Sequence, residues 1–276
     1  MALLSIIIPA HNEADFIDAC LSAVFASAGV PNAEVIVVAN GCDDATANRA
    51  RSFTDQAAQK GWELLVLDLS TGGKPGALNA GDTVATGDMR AYLDADTVVS
   101  KHLFSELIKA LSSGTARYAS GQLTIPTAKT FASRAYANIY RRVPFIRFGV
   151  PGAGLFAVNK AGRARWDEFP PIISDDSFVR LNFSATERIG TAAPYEWPLV
   201  EGFANLIRVR RRQNAGVAEV AALYPDLTKN DDTPKLGLAG IVSLALRHPV
   251  GFAIYAAVAL IVRLTPTSKT AWDRGR

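Results

Sequence analysis

Short apolar runs alternate with helical stretches over the first hundred residues. Four runs rich in Ile, Val and Leu are typical of strands buried on both faces of a sheet: 3–8, 34–39, 64–67 and 89–93. Three stretches between them have helical periodicity: 14–28, 44–60 and 76–85. This alternation predicts an α/β fold with a mostly parallel central sheet, helices on its faces and right-handed crossovers.

The pattern beyond residue 100 is less regular. A Gly/Pro-rich stretch, 149–154, precedes a predicted strand over 155–158, and the polar stretch 226–235 is typical of a linker. The predicted organisation is a main domain over 1–225, with halves 1–100 and 101–225, then the linker 226–235 and an apolar helical tail over 236–276.

Two apolar runs make up most of this tail. Residues 236–246 and 250–262 are separated by Arg247-His248-Pro249, and basic residues surround both runs. Each run is shorter than the roughly 20 residues that cross a bilayer. Two interpretations stay open, a helical hairpin lying on an anionic membrane surface or a pair of core or dimer-interface helices.

Composition narrows the functional classes. The chain has 276 residues, a formal net charge of +3, two cysteines and three scattered histidines, which argues against a zinc site built on Cys or His. The N-terminus has no basic region before its apolar run and is interpreted as a strand, not a signal peptide. The dense basic run Arg208–Arg212 could suggest nucleic-acid binding. That function is not expected, because the aromatic residues are dispersed along the chain and no recognition motif is present.

Polar or Gly-rich loops follow all four predicted strands. They are 9–13, 39–46, 72–81 and 94–96. Parallel strands place these ends on one rim, where open α/β sheets bind ligands, and the helix N-termini that follow add N–H donors for phosphate. The sequence has neither a Walker A loop nor Gly-x-Gly-x-x-Gly after its first strand, so a P-loop or dinucleotide enzyme is not indicated.

The fourth loop contains Asp94-Ala95-Asp96. Two carboxylates at i and i+2 on an extended backbone project to the same side. Hard oxygen ligands suit Mg²⁺ or Mn²⁺, which bind one or two carboxylates together with phosphate oxygens. A strand-to-loop turn also carries Asp for local hydrogen bonds, and that alternative applies to the motif taken alone.

In this order, the motifs resemble the family 2 glycosyltransferases with the GT-A fold, over about residues 3–215. The resemblance implies an inverting, metal-dependent transferase that moves a sugar from a nucleotide-sugar donor to an acceptor hydroxyl. The expected acceptor is a glycan or a lipid-linked molecule, in cell-surface glycan or glycolipid synthesis. The enzyme is expected in the cytoplasm, peripheral on the inner face of the membrane.

The resemblance also assigns residues. It implies Mn²⁺ or Mg²⁺ at Asp96 and an Arg-rich element that closes over the diphosphate. Many members have Asp where this chain has Ala39 or Asn40, which leaves the nucleobase open. The residues expected at the nucleotide and donor are Pro9, Ala10, Glu13, Asn40, Lys74, Asn79, Asp94 and Arg212.

A second acidic pair, Asp175-Asp176, opens a helical pattern. Acids in a first helical turn are favoured by capping and by the helix dipole, which is the plain interpretation. The resemblance instead makes Asp176 the catalytic base that accepts the proton of the acceptor hydroxyl. Gln213 is followed by Asn214, so the Gln-x-x-Arg-Trp element of processive synthases is missing.

Two other functions remain in competition. A sugar-1-phosphate nucleotidyltransferase shares the sheet plan, but such enzymes open with a Gly-rich loop followed by Arg and Lys, unlike residues 9–13. A non-enzymatic membrane-docking protein with a degenerate nucleotide pocket would not need to retain Asp94, Asp96 and Asp176.

Overall fold

The computed structural model describes residues 4–265 and contains an eight-stranded mixed sheet. The strands are β1 (Leu4–Ala10), β2 (Ala33–Asn40), β3 (Glu63–Leu69), β4 (Met89–Leu93), β5 (Val98–Val99), β6 (Tyr118–Thr124), β7 (Leu155–Asn159) and β8 (Arg188–Glu196). Their order across the sheet is β3-β2-β1-β4-β7-β6-β8-β5.

Helices cover both faces of the sheet. They are α1 (Ile17–Phe25), α2 (Thr46–Arg51), α3 (Thr54–Lys60), α4 (Lys74–Val84), α5 (Leu103–Leu111), α6 (Phe131–Tyr140), α7 (Pro144–Arg147), α8 (Lys160–Arg163), α9 (Asp175–Leu181), α10 (Phe203–Leu223), α11 (Leu238–Arg247) and α12 (Pro249–Leu264). Short 3-10 turns cover Ala185–Glu187 and Pro225–Asn230.

The first hundred residues form the parallel half of the sheet. β3, β2, β1 and β4 pair in parallel, whereas β7 joins β4 in the antiparallel direction and begins the mixed half. The predicted α/β fold with flanking helices is confirmed. One predicted helix differs: 44–60 is two helices, because the chain turns at Ser52 and Phe53 between α2 and α3.

Alternate residues of the central strands enter two separate cores. In β1, Leu4, Ile6 and Ile8 pack into one cluster, with α1 and α5, while Ile7 packs into the other, with α4 and α9. Since side chains of a strand point alternately to opposite faces, a strand covered on both sides is apolar throughout. This explains why the predicted strands contain unbroken apolar runs.

A third apolar cluster joins the C-terminal helices to the domain. Val258 and Val262 of α12 are buried in it beside Tyr136 and Tyr140 of α6 and Leu206 of α10. α11 has no buried residue. Within residues 4–265, no helix is both long and apolar enough to cross a membrane. Residue 3 of the first predicted strand and residues 266–276 of the predicted tail, which include Lys269, Arg274 and Arg276, lie outside the described range.

The stretch predicted as a linker is anchored to the domain by ion pairs. Asp232 lies 2.6 Å from a guanidinium nitrogen of Arg180 and 2.9 Å from one of Arg188, and both arginines are buried. Asp231 also pairs with Arg180, at 3.3 Å. This segment, residues 225–232, is called the strap below.

Gly81 allows α4 to lie close to the sheet. A Cβ at Gly81 would be 2.5 Å from Cγ2 of the buried Ile7, whereas one at Gly76, on the same helix, would meet nothing within 4 Å. We expect Gly81→Ala to lower the free energy of unfolding by about 1–3 kcal/mol through overpacking. Gly76→Ala should raise it by about 0.5–1 kcal/mol, because Ala favours the helix. Urea denaturation of both variants measures this, and equal effects would show that α4 does not need the close approach.

Candidate active site

A cleft opens where the carboxyl ends of β1 and β4 lie side by side. The chain leaves β1 toward β2 and β3 and returns to place β4 on the other side of β1, so the cleft lies at the topological switch point where such sheets bind ligands. Its volume is about 220 Å³. The predicted site residues that line it are Pro9, Glu13, Asn40, Lys74, Asp94, Asp96, Asp176 and Arg212.

Asn40 holds the loops of the rim together. Its side-chain Nδ2 donates to the carbonyl oxygen of Ala10, at 2.8 Å, and its Oδ1 accepts from the backbone N–H of Gly73, at 2.9 Å. Gly41 has a φ of +57°, and a Cβ there would be 2.7 Å from the backbone nitrogen of Gly72. The Asn-Gly turn is therefore a clamp between three strand ends. Ala10 contributes its buried carbonyl to this clamp and does not line the cleft.

The segment after β2 holds Glu13 near the carboxyl end of β1. The backbone N–H of Glu13 donates to Oγ1 of Thr46, at 2.7 Å, and Nδ1 of His11 lies 2.6 Å from the carbonyl oxygen of Asn40. His11 also lines the cleft, although its sequence position carried no motif that singled it out.

Lys74 joins the two acidic motifs. It is the first residue of α4, and its Nζ lies 2.8 Å from Oδ1 of Asp94 and 3.1 Å from Oδ2 of Asp175. Asp94 follows β4, where its N–H donates to the carbonyl oxygen of Gly154, and Asp175 is the first residue of α9. One cation therefore fixes the relative positions of the two motifs.

Burial and mutual repulsion shape the charges of these groups. Burial raises the pKa of Asp176 to about 6, and the neighbouring carboxylate of Asp175 adds to the increase. Burial also raises the pKa of Asp175, against the opposing effect of Lys74. For Lys74, burial lowers the pKa, but Asp175 and Asp94 outweigh it, so the ammonium form is favoured. Asp176 is held by a hydrogen bond from the backbone N–H of Ser177 to its Oδ1, at 2.7 Å.

The donor set suits a divalent cation shared with a ligand. Within residues 4–265, no group of three or more His, Cys, Asp or Glu side chains is arranged to hold a metal ion. Mg²⁺ and Mn²⁺ do not require such a cage when phosphate oxygens complete their coordination, since one or two carboxylates then suffice. Asp96 lines the cleft next to Asp94, so its carboxylate fits this requirement.

Aromatic and basic residues from α6 and α10 also line the cleft, and the part that they line is called its aromatic side below. Tyr136 and Tyr140 have ring centroids 5.5 Å apart, and Arg210 lies over the ring of Tyr255 on α12 at 5.9 Å. Trp197 follows β8 on the same side. Arg210 belongs to the predicted basic run, whereas no sequence motif predicted Tyr136, Tyr140 or Trp197 at the cleft. The i, i+4 spacing of the tyrosines on α6 was the available signal, but it does not distinguish a site wall from a core stripe.

Asn79, like Ala10, is a predicted site residue that does not line the cleft. Its side chain pairs with the backbone of Phe169, through Nδ2 to the carbonyl oxygen at 3.1 Å and Oδ1 from the N–H at 2.7 Å. Asn79 therefore anchors the segment that leads to Asp175 from the buried side of α4.

The sequence matches the model of the family described as Glycosyl transferase family 2, over residues 5–168. A glycosyltransferase named AglE from Haloferax volcanii is 33% identical over 138 residues, which are 49% of this chain and 44% of that protein. An uncharacterized glycosyltransferase of Bacillus subtilis, EpsJ, is 29% identical over 38% of this chain and 29% of its own length. The matched region therefore spans less than half of each of these relatives.

Solved structures share the fold over nearly the whole chain. The mannosyltransferase PcManGT from Pyrobaculum calidifontis, in complex with GDP-Man and Mn²⁺, superposes with a TM-score of 0.60 at 20% identity, covering 97% of this chain and 76% of that one. S. aureus TarS 1-349 with UDP gives a TM-score of 0.55 at 12% identity, covering 99% and 95% of the two chains. The predicted GT-A-type fold is confirmed.

The bridge made by Lys74 predicts a pH-dependent loss of stability. Lys74→Met leaves Asp175, whose side chain is only 5% exposed, without its cation, and should cost about 3 kcal/mol at pH 8. The pKa of Asp175 then rises further. When the pH is lowered through this raised pKa, the carboxyl takes up a proton and the buried charge disappears. The deficit is therefore largest above the raised pKa and shrinks as the pH falls toward 4.

Chemical denaturation between pH 4 and pH 8 measures this difference. Lys160→Met is the matched control, because Lys160 and its partner Asp88 are 83% and 70% exposed and such a pair contributes little. A loss in Lys74→Met that equals the control, or that stays constant with pH, would contradict the bridging role.

Proposed function

Because the chain belongs to glycosyl transferase family 2, we propose that it moves a sugar from a nucleotide-sugar donor to an acceptor hydroxyl with inversion at the anomeric carbon. The observation that carries the proposal is the position of Asp176. It lies in one cleft with Asp94 and Asp96, and its pKa is raised to about 6. A carboxylate with this pKa is ionised at pH 7 and more basic than an ordinary Asp, as a general base requires.

In the proposed reaction, the acceptor oxygen attacks the anomeric carbon from the face opposite the diphosphate. The new C–O bond forms as the bond to the diphosphate oxygen breaks, and that oxygen keeps the electron pair. The hydroxyl proton passes to the carboxylate of Asp176. Lys74 and Asp175 do not exchange protons in this scheme, and their ion pair holds the start of α9 so that Asp176 faces the cleft.

The donor would lie across the rim between β1 and β4. Pro9 and Glu13 would contact the nucleoside, Asp94 the sugar or ribose, and Arg212 the diphosphate, which a guanidinium suits; all four residues line the cleft. We assign the divalent cation to Asp96, as the resemblance implies, because Asp96 lines the cleft two residues from Asp94. A bound Mn²⁺ or Mg²⁺ would neutralise charge on the leaving diphosphate. PcManGT and TarS are solved with GDP-Man and UDP-GlcNAc respectively, which supports a nucleotide-sugar donor.

The acceptor would enter on the aromatic side of the cleft. Tyr136, Tyr140 and Trp197 offer apolar faces beside the hydrogen-bonding groups of Arg210 and Gln213. Such a mixture suits a glycan or a lipid-linked acceptor. We therefore propose a role in the synthesis of a cell-surface glycan or glycolipid.

Product analysis tests the proposed reaction class. The protein is incubated with a panel of nucleotide sugars, Mn²⁺ and candidate acceptors, and the products are identified by mass spectrometry. Release of nucleoside diphosphate with a glycosylated acceptor of inverted configuration supports the proposal. A parallel incubation with added pyrophosphate that converts the nucleotide sugar into nucleoside triphosphate and sugar 1-phosphate would instead indicate a nucleotidyltransferase, and unchanged donors in both incubations would indicate a protein without transferase activity.

Asp176→Asn should lower kcat by about 10²–10⁴-fold while donor affinity stays close to wild type. Asn keeps the shape and still allows α9 to form, but it cannot accept the proton. In the wild type, the rate should fall as the pH drops through about 6, because protonation removes the base. Steady-state kinetics across pH and calorimetry with the donor measure both parts. A fully active variant would return the acidic pair to a helix-capping role.

Asp96→Asn should weaken metal-dependent binding of the donor, because a neutral amide is a poorer ligand for a hard cation. Calorimetric titration with nucleoside diphosphate, with and without Mn²⁺, measures the loss. Asp88→Asn is the matched control, since Asp88 is exposed and precedes β4 at the end remote from Asp94. Equal affinities of the two variants in Mn²⁺ would exclude Asp96 from the metal site.

A further inference from the structure

The hairpin formed by α11 and α12 carries a concentration of exposed apolar side chains. Leu238 and Leu246 of α11 are both 77% exposed, and Val242 between them is also exposed. Val250, Leu260 and Leu264 continue the exposed apolar residues along α12. Exposed apolar residues concentrated on one helical hairpin are typical of an interaction site.

The opposite side of α12 belongs to the domain core. A Cβ at Gly251 would be 2.7 Å from the carbonyl oxygen of Ala135 on α6, which shows how closely the two helices approach. Val258 and Val262 are buried on this side. α12 therefore has a fixed place, and α11 is held on the outside of the domain by its packing against α12.

The charges of the hairpin indicate what covers it. Residues 236–265 contain no Asp or Glu, and their two arginines, Arg247 and Arg263, are both exposed. Lys235, just before the hairpin, is exposed as well. The nearest preceding acids, Asp231 and Asp232, are paired with arginines of the domain. Within residues 235–265 the formally charged side chains are therefore all cations, and an apolar hairpin of this kind complements a lipid surface with anionic headgroups.

We propose that the α11–α12 hairpin docks on the surface of an anionic lipid bilayer, with its exposed leucines among the acyl chains and Arg247 and Arg263 at the headgroups. α12 packs on α6 and α10, whose residues Tyr136, Tyr140 and Arg210 line the aromatic side of the cleft. Docking through the hairpin therefore places that side of the cleft near the lipid. The inference does not depend on the transfer reaction, since docking is measured without donor.

Co-sedimentation of the full chain with vesicles tests the proposal. Vesicles of phosphatidylcholine with phosphatidylglycerol are compared with vesicles of phosphatidylcholine alone, at low and high salt. The wild type should pellet with the anionic vesicles, and salt should weaken but not abolish binding, because only the electrostatic part is screened. Leu238→Glu/Leu246→Glu should reduce partitioning at least about tenfold, because two leucines no longer enter the bilayer.

Point variants are preferred to truncation, since removal of α12 would take Val258 and Val262 out of a core cluster. Leu223→Glu is the matched control: Leu223 is 59% exposed at the far end of α10 and should bind vesicles as the wild type does. Arg247→Gln/Arg263→Gln should lose the preference for anionic lipid and much of the salt dependence.

Three results would overturn the proposal. A wild type that does not pellet with anionic vesicles excludes lipid docking. Binding of Leu238→Glu/Leu246→Glu that equals that of Leu223→Glu places the contact elsewhere. Sedimentation velocity that shows a dimer lost in Leu238→Glu/Leu246→Glu, together with no vesicle binding, assigns the surface to a second copy of the chain.

Discussion

The ion pairs of Lys74 with Asp94 and Asp175 are the interaction on which the site depends. Carboxylates brought together in a partly buried cleft repel one another and lose hydration, and both effects oppose their ionisation. A single ammonium group between two of them offsets this cost and joins the parallel half of the sheet to α9. Without this ammonium group, no ion pair would offset the electrostatic repulsion between the two acidic motifs in the cleft.

The same arrangement gives neighbouring carboxylates different properties. Lys74 contacts Asp175 directly, whereas Asp176 is stabilised by a backbone N–H and lies next to the charge of Asp175. The two adjacent residues of one sequence motif thus differ in their properties. Asp175 attaches α9 to Lys74, and Asp176 has the raised pKa that suits proton transfer.

The parallel half of the fold could be predicted because its information is local. Each strand is a continuous apolar run, each loop begins where the run ends, and the parallel arrangement brings the loops together without further assumptions. The loops that carry Pro9, Glu13 and Lys74, and the acidic pair Asp94 and Asp96, were placed on one rim in this way, and all five residues line the cleft. The resemblance to a known family supplied the individual roles, and it alone pointed to Asp176 and Arg212, whose positions depend on the mixed half of the sheet.

The remaining features depend on contacts between distant segments. An Asn at position 79 could contact either a ligand or the backbone of Phe169, and the sequence does not distinguish the two. The three-dimensional structure shows the contact with Phe169. Tyr136 and Tyr140 join the cleft because α12 packs behind them. The polar strap had the composition of a linker, but two buried arginines give its acids a fixed place.

The strap also gives α9 a second point of attachment. Lys74 pairs with Asp175, the first residue of α9, and Asp232 pairs with Arg180 in the last turn of α9. An ion pair therefore restrains the helix at each end. A short helix restrained in this manner cannot slide along its axis or rotate without breaking one of the two ion pairs. The position of Asp176 in the cleft is thus set in part by a polar segment that follows it in the chain. Changes of length within residues 225–232 would be transmitted to Asp176, whereas insertions between the strap and α11 would leave it in place.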